Sequence, residues 1–430
     1  MFKLFLSLVI LIFIAGCTSV TAPKPTLKAN EKVFPQEDTY ILFALRAEQL
    51  QDFNASSELF STLYEKSDKK EYLYRSLQND LALKQNEKVV QRVDAIGIDK
   101  LDDFILVRIK IIALIELGRL EEAKVLARNL AEKSKEVDDY ILLSEIYVKQ
   151  NKFDTAVKYL ESAYVLDYNE KILDKMAIIL YVNLNRKKDA IAYLETHSRV
   201  YSCSKLICSR LIGFYSNENN IDGLLSAYLR LYKIDTREAI SDKIIKIYEY
   251  KKDYLKLMGF LEESHSDDDL LLNLYQNLKN YKKAAPLAEK LYKKTGEINY
   301  LGQSAIFTYE SSENKNDKEM HNSIIKKFKK VIQVEKSALY LNYLGYIMIE
   351  HDINLKQAMD YINMALKIEP NSAFYLDSLA WGYYKLGNCK MADEIISRVV
   401  KMEGGDNAEV QLHFKTIKEC KKIEKVKKKK

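Results

Sequence analysis

A recurrence of about 34 residues runs through most of this 430-residue chain and constrains its fold more than any other feature. Small or aliphatic residues follow short polar turns at intervals of 34, 33, 33, 34, 34, 33, 27, 40, 34 and 34 residues. These marker residues are Ser56, Val90, Ala123, Ala156, Ala190, Leu224, Leu257, Ala284, Ile324, Ala358 and Ala392. A period of this length, with a turn inside each repeat, predicts helix pairs that bury their apolar faces against neighbouring pairs.

The pattern inside a repeat is clearest in the tenth, where Gly345 is followed by Ala358, Ala365 and Pro370. Small side chains let two helices cross closely, and a proline ends the second helix. Repeats of this length and pattern resemble the tetratricopeptide repeat (TPR), a pair of antiparallel helices. The resemblance implies an all-α fold, a right-handed α-solenoid of about eleven TPR-like helix pairs over residues 37–404, followed by a C-terminal capping helix.

Composition favours a helical chain and argues against nucleic-acid binding. The sequence has only 13 glycines and 5 prolines, with 47% hydrophobic and 30% charged residues. Its net charge of +6 is local, because the last ten residues, KKIEKVKKKK, hold seven lysines and one glutamate. The rest of the chain is neutral, so we expect no nucleic-acid partner. Seven like charges cannot pack a core, and we expect this tail to be disordered.

Two adjacent intervals depart from the period. The interval of 27 before Ala284 predicts a short second helix near residues 255–264, and the interval of 40 predicts that residues 311–317 loop out. Pro286 lies in the same region, where it can kink a helix. We therefore predict an N-terminal TPR arm over 37–254, an irregular joint over 255–320, a C-terminal TPR arm over 321–404, and a capping helix with a Lys-rich tail over 405–430.

The N-terminus has the pattern of an export signal. Lys3 is followed by LFLSLVILIFIAG, an apolar run too short for a stable membrane span. The run ends in Ile14-Ala15-Gly16-Cys17, which resembles the lipobox of bacterial lipoproteins, where the cysteine thiol receives a diacylglycerol and becomes the new N-terminus. The resemblance implies a signal peptide over residues 1–16 and lipidation of Cys17. An ordinary signal peptide with a chance cysteine is the alternative.

The residues after Cys17 predict how the mature chain meets the membrane. Residues 17–36 are polar and contain three prolines, so we expect an extended tether. Under the sorting rule known for enteric bacteria, Thr18 after the lipidated cysteine favours the outer membrane over the inner. We therefore expect a protein on the periplasmic face of the outer membrane, held there by acyl chains such as palmitate.

The sequence offers no pattern that predicts catalysis. It has no Gly-rich phosphate loop and no GxSxG elbow. The five histidines are separated by 68, 56, 30 and 62 residues, so no pair has metal-ligand spacing, and we expect each on a surface or turn. These histidines are His197, His265, His321, His351 and His413. We therefore expect no enzyme activity, metal, cofactor or small-molecule substrate.

The cysteines are the one group whose positions in the sequence predict contacts with one another. An exported protein meets oxidising machinery, so such contacts can become disulfide bonds. Apart from Cys17 there are four, which permit three pairings. Cys389 opens the last second helix and Cys420 lies near the end of the next helix, so antiparallel packing places them opposite each other. A bridge there would clamp the capping helix. Cys203 and Cys208 flank a turn, where a local bridge can form, although a spacing of five does not suit a regular helix. Free buried thiols are the alternative for both pairs.

Partner-facing positions follow from the TPR resemblance. In TPR proteins they are the second, fifth, ninth and twelfth residues of a repeat, on its first helix. Here they are Leu339, Asn342, Tyr346 and Ile349 in the tenth repeat, and Phe374, Asp377, Trp381 and Tyr384 in the eleventh. Aromatic and polar side chains on an open face suit partner binding, so the candidate contacts are Asn342, Tyr346, Asp377, Trp381 and Tyr384. The alternative is that these rings pack under the capping helix.

The last two repeats also resemble a narrower family. LNYLGYIMIEHDINLKQAMDYINMALKIEP and LDSLAWGYYKLG, within residues 341–388, are similar to TPR lipoproteins of Gram-negative bacteria. One known type is a many-repeat outer-membrane adaptor that delivers cell-wall hydrolases to a periplasmic carboxyl-terminal processing protease. The resemblance implies a scaffold or adaptor for envelope or periplasmic proteins. A structural part of an envelope machine, such as a pilus or flagellar motor, is the alternative.

Overall fold

The computed structural model describes residues 32–97 and 103–427, with side chains described through residue 420. The signal sequence, the lipobox and Cys17 lie outside the described residues. Over the described ranges the chain forms 23 α-helices and one short π-helical segment, with no β-strand. The all-α prediction is confirmed. The helices divide into two compact units, Met1–Ile234 and Asp235–Lys430, and this boundary lies ahead of the predicted joint at 255–320.

Unit 1 contains twelve helices in its described part, and each second helix packs on the first helix of its own repeat. The pairs are α1 (Glu37–Gln49) with α2 (Phe53–Ser67), α3 (Lys70–Ala82) with α4 (Asn86–Ala95), α5 (Phe104–Glu116) with α6 (Leu120–Ser134), α7 (Val137–Lys149) with α8 (Phe153–Asp167), α9 (Glu170–Ile178) with α10 (Lys187–Tyr201), and α11 (Lys205–Asn217) with α12 (Ile221–Tyr232). The π-helical segment, Ile179–Asn183, extends α9. Unit 1 is therefore six repeats.

Unit 2 contains five further pairs and a final helix. The pairs are α13 (Glu238–Tyr250) with α14 (Tyr254–Ser264), α15 (Asp268–Asn277) with α16 (Tyr281–Thr295), α17 (Ile298–Ser311) with α18 (Lys318–Val334), α19 (Ala338–Glu350) with α20 (Leu355–Ile368), and α21 (Ala373–Lys385) with α22 (Cys389–Val399). The final helix, α23, spans Ala408–Lys427. The described chain thus has the eleven helix pairs and the C-terminal helix that the sequence period predicts.

The marker residues hold each pair together. Ten of the eleven are buried, and Leu224, which is half-buried, is followed by buried Leu225. In the tenth repeat a Cβ atom on Gly345 would lie 2.6 Å from Ile362 Cδ1 and 2.9 Å from the Ala358 carbonyl oxygen. The helices therefore approach too closely for any larger residue at this position. This contact confirms the close crossing predicted from Gly345 and Ala358.

The turn inside a repeat has one recurrent backbone conformation. In ten repeats the residue two positions after the first helix is left-handed, with φ between 53° and 79°. These residues are Gln51, Lys84, Gly118, Asn151, Asn185, Asn219, Lys252, Lys279, Asp352 and Gly387. Only two are glycine, although glycine is the residue that adopts this conformation without steric cost. A search for glycine would therefore miss most of these turns.

The ninth repeat has a longer connection. Helix α17 ends at Ser311 and α18 begins at Lys318, so residues 312–317 form a loop at the place that the 40-residue interval indicates. The Asp317 side chain caps α18 by accepting hydrogen bonds from the backbone N–H groups of Glu319 and Met320. The earlier interval of 27 corresponds to short helices, since α14 has 11 residues and α15 has 10.

Helix α23 packs on α21 and α22 and closes unit 2. It runs to Lys427, so the expectation of a disordered tail from Lys421 is wrong for the described part of that tail. Lysine has a high helix propensity, and positive charge near a helix C-terminus is favourable. The backbone can therefore continue as a helix without packing a core. None of the described helices combines the length and apolar character needed to cross a bilayer.

Candidate functional site

A pocket of about 730 Å³ lies on the first helices of the last three repeats, α17, α19 and α21. The loop before α18 and the start of α23 complete its walls. We call it the first-helix pocket. Its lining residues are Tyr309, Glu310, Lys315, Asn316, Leu339, Asn342, Tyr343, Tyr346, Glu350, His351, Glu369, Ser372, Phe374, Tyr375, Asp377, Ser378 and Glu409. All of them belong to unit 2.

The structure brings five of the eight predicted partner-facing positions into this pocket. They are Leu339, Asn342, Tyr346, Phe374 and Asp377. Ile349 is fully buried in the core instead. Trp381 and Tyr384 lie next to the pocket without lining it, and their rings stack on each other at 4.7 Å between centroids. The TPR register thus indicates the face of α19 and α21 that lines this pocket.

Trp381 packs under the C-terminal helix, which is the second of the two arrangements that the sequence allows. Its indole ring stacks on the His413 ring of α23, with centroids 4.1 Å apart. Its Nε1–H donates a hydrogen bond to Glu350 Oε2 at 2.7 Å. The ring therefore joins α21 to α19 and α23. As a result Trp381 supports the pocket wall, and the open surface belongs to its neighbours.

Asp377 forms the buried end of the pocket. It is 5% exposed, and its Oδ2 atom lies 2.9 Å from His413 Nδ1. Its Oδ1 atom is buried and has no hydrogen-bond partner among the described residues, and the same is true of Asn342 Oδ1. Buried acceptors are rarely left unpaired in folded proteins. The pocket thus offers two acceptors that a bound donor could satisfy.

Carboxylates dominate the charge of the pocket. Five line it, Glu310, Glu350, Glu369, Asp377 and Glu409, against a single lysine. Partial removal from water raises the pKa of Glu310; Lys315 lowers it and Glu409 raises it. Burial, with the charges of Glu310 and Glu409, raises the pKa of Tyr343 to about 12. Burial and a hydrogen bond to Glu409 also raise the pKa of Tyr346 strongly. Acidic groups therefore outnumber basic groups in the lining.

Among the described residues, the basic groups of the lining form no ion pair with these carboxylates. Lys315 Nζ donates to the backbone carbonyl oxygens of Tyr309 and Glu310, the second at 3.2 Å. His351 stacks on His321, with ring centroids 3.9 Å apart. Burial, together with the neighbouring His321, lowers the pKa of His351, which favours its neutral form at pH 7.

The expectation that every histidine lies on a surface or turn is wrong for three of them. His197, His321 and His413 are each 3% exposed. His321 lies near the start of α18 and His351 directly after the end of α19, and antiparallel packing of these consecutive helices brings the two ends together. A sequence search for closely spaced ligands does not detect such a contact. Over the described ranges no group of three or more His, Cys, Asp or Glu side chains is placed to hold a metal ion.

Several pocket residues were missed by the sequence analysis. Tyr309 is the twelfth residue of the ninth repeat, counted from the start of α17, so the same register could have identified it. Glu310 lies directly before the insertion and Lys315 lies inside it, where the register no longer applies. Glu409 comes from α23 and accepts a hydrogen bond from the Tyr346 hydroxyl. No repeat pattern predicts which residues of a capping helix reach this face.

Both predicted cysteine pairs are bonded in the structure. Cys389 at the start of α22 is joined to Cys420 in α23, with Cα atoms 5.8 Å apart. Cys203, in the loop before α11, is joined to Cys208 in its first turn, with Cα atoms 5.5 Å apart. Because Cys203 lies in the loop and not in the helix, helical geometry does not set the distance between Cys203 and Cys208. The first bridge fastens the helix that carries His413 and Glu409 to the last repeat.

The chain is similar to solved structures of low sequence identity. No protein-family model and no curated protein matches the chain. One of these solved structures is the crystal structure of the Cut9–Hcn1 hetero-tetramer of the APC/C. Its sequence identity to this chain is 10%, and the match covers 90% of this chain and 97% of that chain, with a TM-score of 0.35. A second is the structure of Naa15/Naa10 bound to HypK-THB. Its sequence identity to this chain is 11%, and the match covers 87% of this chain and 65% of that chain, with a TM-score of 0.29.

A third solved structure is a tetratricopeptide repeat protein from Parabacteroides merdae. It is 13% identical over 66% of this chain and 99% of that chain, with a TM-score of 0.28. All three TM-scores lie below 0.5, so the TPR-type assignment depends on the chain's own eleven helix pairs. A fold of this type is consistent with a scaffold for protein interactions.

Proposed function

We propose that this protein is a lipid-anchored scaffold of the bacterial envelope that binds other proteins through the first-helix pocket. The proposal is supported by the position and the lining of this pocket. It opens on the first-helix positions that TPR proteins use for partners, and it holds exposed aromatic surface beside unpartnered acceptors. Interface anchors typically combine these two features. The envelope location follows from the lipobox resemblance at Cys17.

The finer role that we propose is an adaptor that brings substrates to a processing protease or organises cell-wall enzymes. The test is cross-linking of the native lipoprotein in cells, followed by purification and mass spectrometry. Recovery of a processing protease or a cell-wall hydrolase would support the adaptor role. Recovery of pilus or motor subunits in their place would identify the structural alternative and contradict the adaptor.

A matched pair of variants links any captured protein to the pocket. Phe374 lines the pocket and is 54% exposed, so Phe374→Ala removes contact surface with little cost to folding. Leu412 of α23 is 62% exposed and does not line the pocket, so Leu412→Ala is the control. We expect partners to be lost with Phe374→Ala and retained with Leu412→Ala. Equal recovery with both variants would place the binding surface elsewhere and contradict the proposal.

Cys17→Ser should release the protein from the membrane. One acyl chain binds a bilayer weakly, whereas the three chains of a mature lipoprotein hold durably. The measurement is the distribution of protein between pellet and supernatant after a salt wash. Thr18→Ala is the control, and we expect it to remain in the pellet. A Cys17→Ser protein that still sediments with membranes would exclude lipidation at this residue.

A further inference from the structure

We propose that the first-helix pocket receives a cationic side chain, Lys or Arg, presented by an extended segment of a partner protein. This inference rests on the proposed scaffold function and adds the chemistry of the partner. It predicts that partners are recognised through positive charge at one position.

Carboxylates outnumber cations in the lining of the pocket. Over the described residues, Glu310, Glu350, Glu369 and Glu409 make no ion pair with a lysine or arginine. Lys315 is already engaged by two backbone carbonyl oxygens. Burial raises the pKa of Glu310, the positive charge of Lys315 lowers it, and the like charge of Glu409 raises it. A bound cation would relieve this repulsion.

A buried carboxylate oxygen of Asp377 favours a hydrogen-bond donor in the pocket, whatever the net charge of the lining. Asp377 is 5% exposed, its side chain lines the pocket, and its buried Oδ1 atom accepts no hydrogen bond within the described chain. Leaving such an acceptor unpaired is costly, and a donor from a ligand recovers that cost. Ammonium and guanidinium groups are pure donors and make the strongest bonds to carboxylates. Asp377 therefore favours binding of a cationic hydrogen-bond donor in the pocket.

Aromatic residues form part of the pocket wall. Tyr343, Tyr346 and Phe374 present aromatic rings to the pocket. Aromatic faces attract cations, and they also pack against the methylene groups that precede the charge in lysine and arginine. Neither an acidic nor a purely aliphatic side chain would use both properties. The combination of rings and carboxylates therefore selects a long cationic side chain.

The side chain of Asn342 and the size of the pocket favour a peptide over a free amine. Asn342 carries a carboxamide with an unpartnered oxygen, and a carboxamide can accept from a peptide N–H and donate to a peptide carbonyl. The volume of about 730 Å³ is larger than one side chain needs, which leaves room for flanking backbone. Peptide backbone beside the charged group would fill this space.

The chain's own Lys-rich tail does not reach this pocket within one molecule. Helix α23 has Glu409 in the pocket wall and continues to Lys427. Lys421 is twelve residues further along, roughly 18 Å away at the α-helical rise. The helix carries the tail away from the pocket. The tail of a second copy could still reach it, and the experiment includes that arm.

The experiment is isothermal titration of the detergent-solubilised full-length lipoprotein with short capped peptides. One peptide, acetyl-Ser-Gly-Lys-Gly-Ser-amide, carries the charge, and its norleucine analogue lacks only the amine. We expect the lysine peptide to bind at least tenfold more tightly, with an advantage that shrinks as salt is raised. Trp381, the only tryptophan, contacts pocket residue Glu350 and provides a fluorescence signal for the same titration. Equal affinity for the two peptides would overturn the inference.

Variants assign the effect to the pocket. The double change Glu310→Gln and Glu409→Gln keeps acceptors in place while removing two charges, and we expect at least a tenfold loss of lysine-peptide affinity. Glu394 is exposed on α22 and does not line the pocket, so Glu394→Gln is the matched control and should bind normally. An equal loss with both variants would mean a general charge effect and would overturn the proposed site.

Two further probes separate the alternatives. Cadaverine binding as tightly as the lysine peptide would indicate a free-amine site and overturn the peptide assignment. A peptide of residues 421–430 that binds far more tightly than the lysine peptide would indicate self-association instead of a separate partner. If Phe374→Ala loses envelope partners while the lysine peptide fails to bind, the scaffold function stands and this inference fails. If the lysine peptide binds and Phe374→Ala keeps every partner, the scaffold proposal fails.

Discussion

Replacing Trp381 with alanine is expected to lower the free energy of unfolding of the last repeats by about 3 to 5 kcal/mol. The indole stacks on the rings of Tyr384 and His413 and donates a hydrogen bond to Glu350. Truncation removes the ring that joins α19, α21 and α23, and it leaves an apolar gap beneath the C-terminal helix. Repeat arrays lose stability locally. The loss should therefore appear as early melting of the C-terminal repeats while unit 1 stays folded.

Circular dichroism against temperature measures this effect, with Phe374→Ala as the control. Phe374 is an aromatic residue of the same helix, but it is 54% exposed, so its truncation should change the free energy of unfolding by about 0.5 kcal/mol or less. A Trp381→Ala protein that melts like the wild type but binds partners roughly thirtyfold more weakly would contradict this expectation. Such a result would make Trp381 an exposed interface anchor, for which a loss of about 2 kcal/mol of binding energy is typical.

The sequence period predicts most of the fold because its physical cause is local. A buried small or aliphatic residue is required wherever a second helix crosses its first helix, and ten of the eleven marker residues are buried in the structure. Gly345 shows the requirement directly, since a Cβ atom there would overlap Ile362. Turn chemistry is less visible in the sequence. Lys84 and Lys252 occupy left-handed positions that glycine or asparagine usually fill.

The candidate site is only partly predictable for a different physical reason. Asn342, Tyr346 and Asp377 follow from the repeat register, which fixes the face of a helix on which a side chain lies. Whether that face is open depends on α23, which has no repeat to define its docking. The contacts of His413 with Asp377 and Trp381 are set by long-range packing. The same packing decides that Trp381 supports the wall and that Glu409 completes the pocket.

Removal of the Cys389–Cys420 bridge is the second large effect we expect. The two residues are 31 apart in sequence, and closing a loop of that length stabilises the folded state by about 3.7 kcal/mol through the entropy of the unfolded chain. The double variant Cys389→Ser and Cys420→Ser should therefore lower the melting temperature of unit 2 by roughly 7 to 15 °C, at about 2 to 4 °C per kcal/mol.

The other bridge provides the matched control for this measurement. Cys203 and Cys208 are 5 apart in sequence and lie in unit 1, so the double variant Cys203→Ser and Cys208→Ser should cost only about 2 kcal/mol and spare unit 2. Because α23 carries His413 and Glu409, loss of the bridge at Cys420 should also weaken binding in the first-helix pocket, whereas the control should not. The exported protein can be alkylated without reductant and its intact mass measured. Labelling of both Cys389 and Cys420 would contradict the prediction.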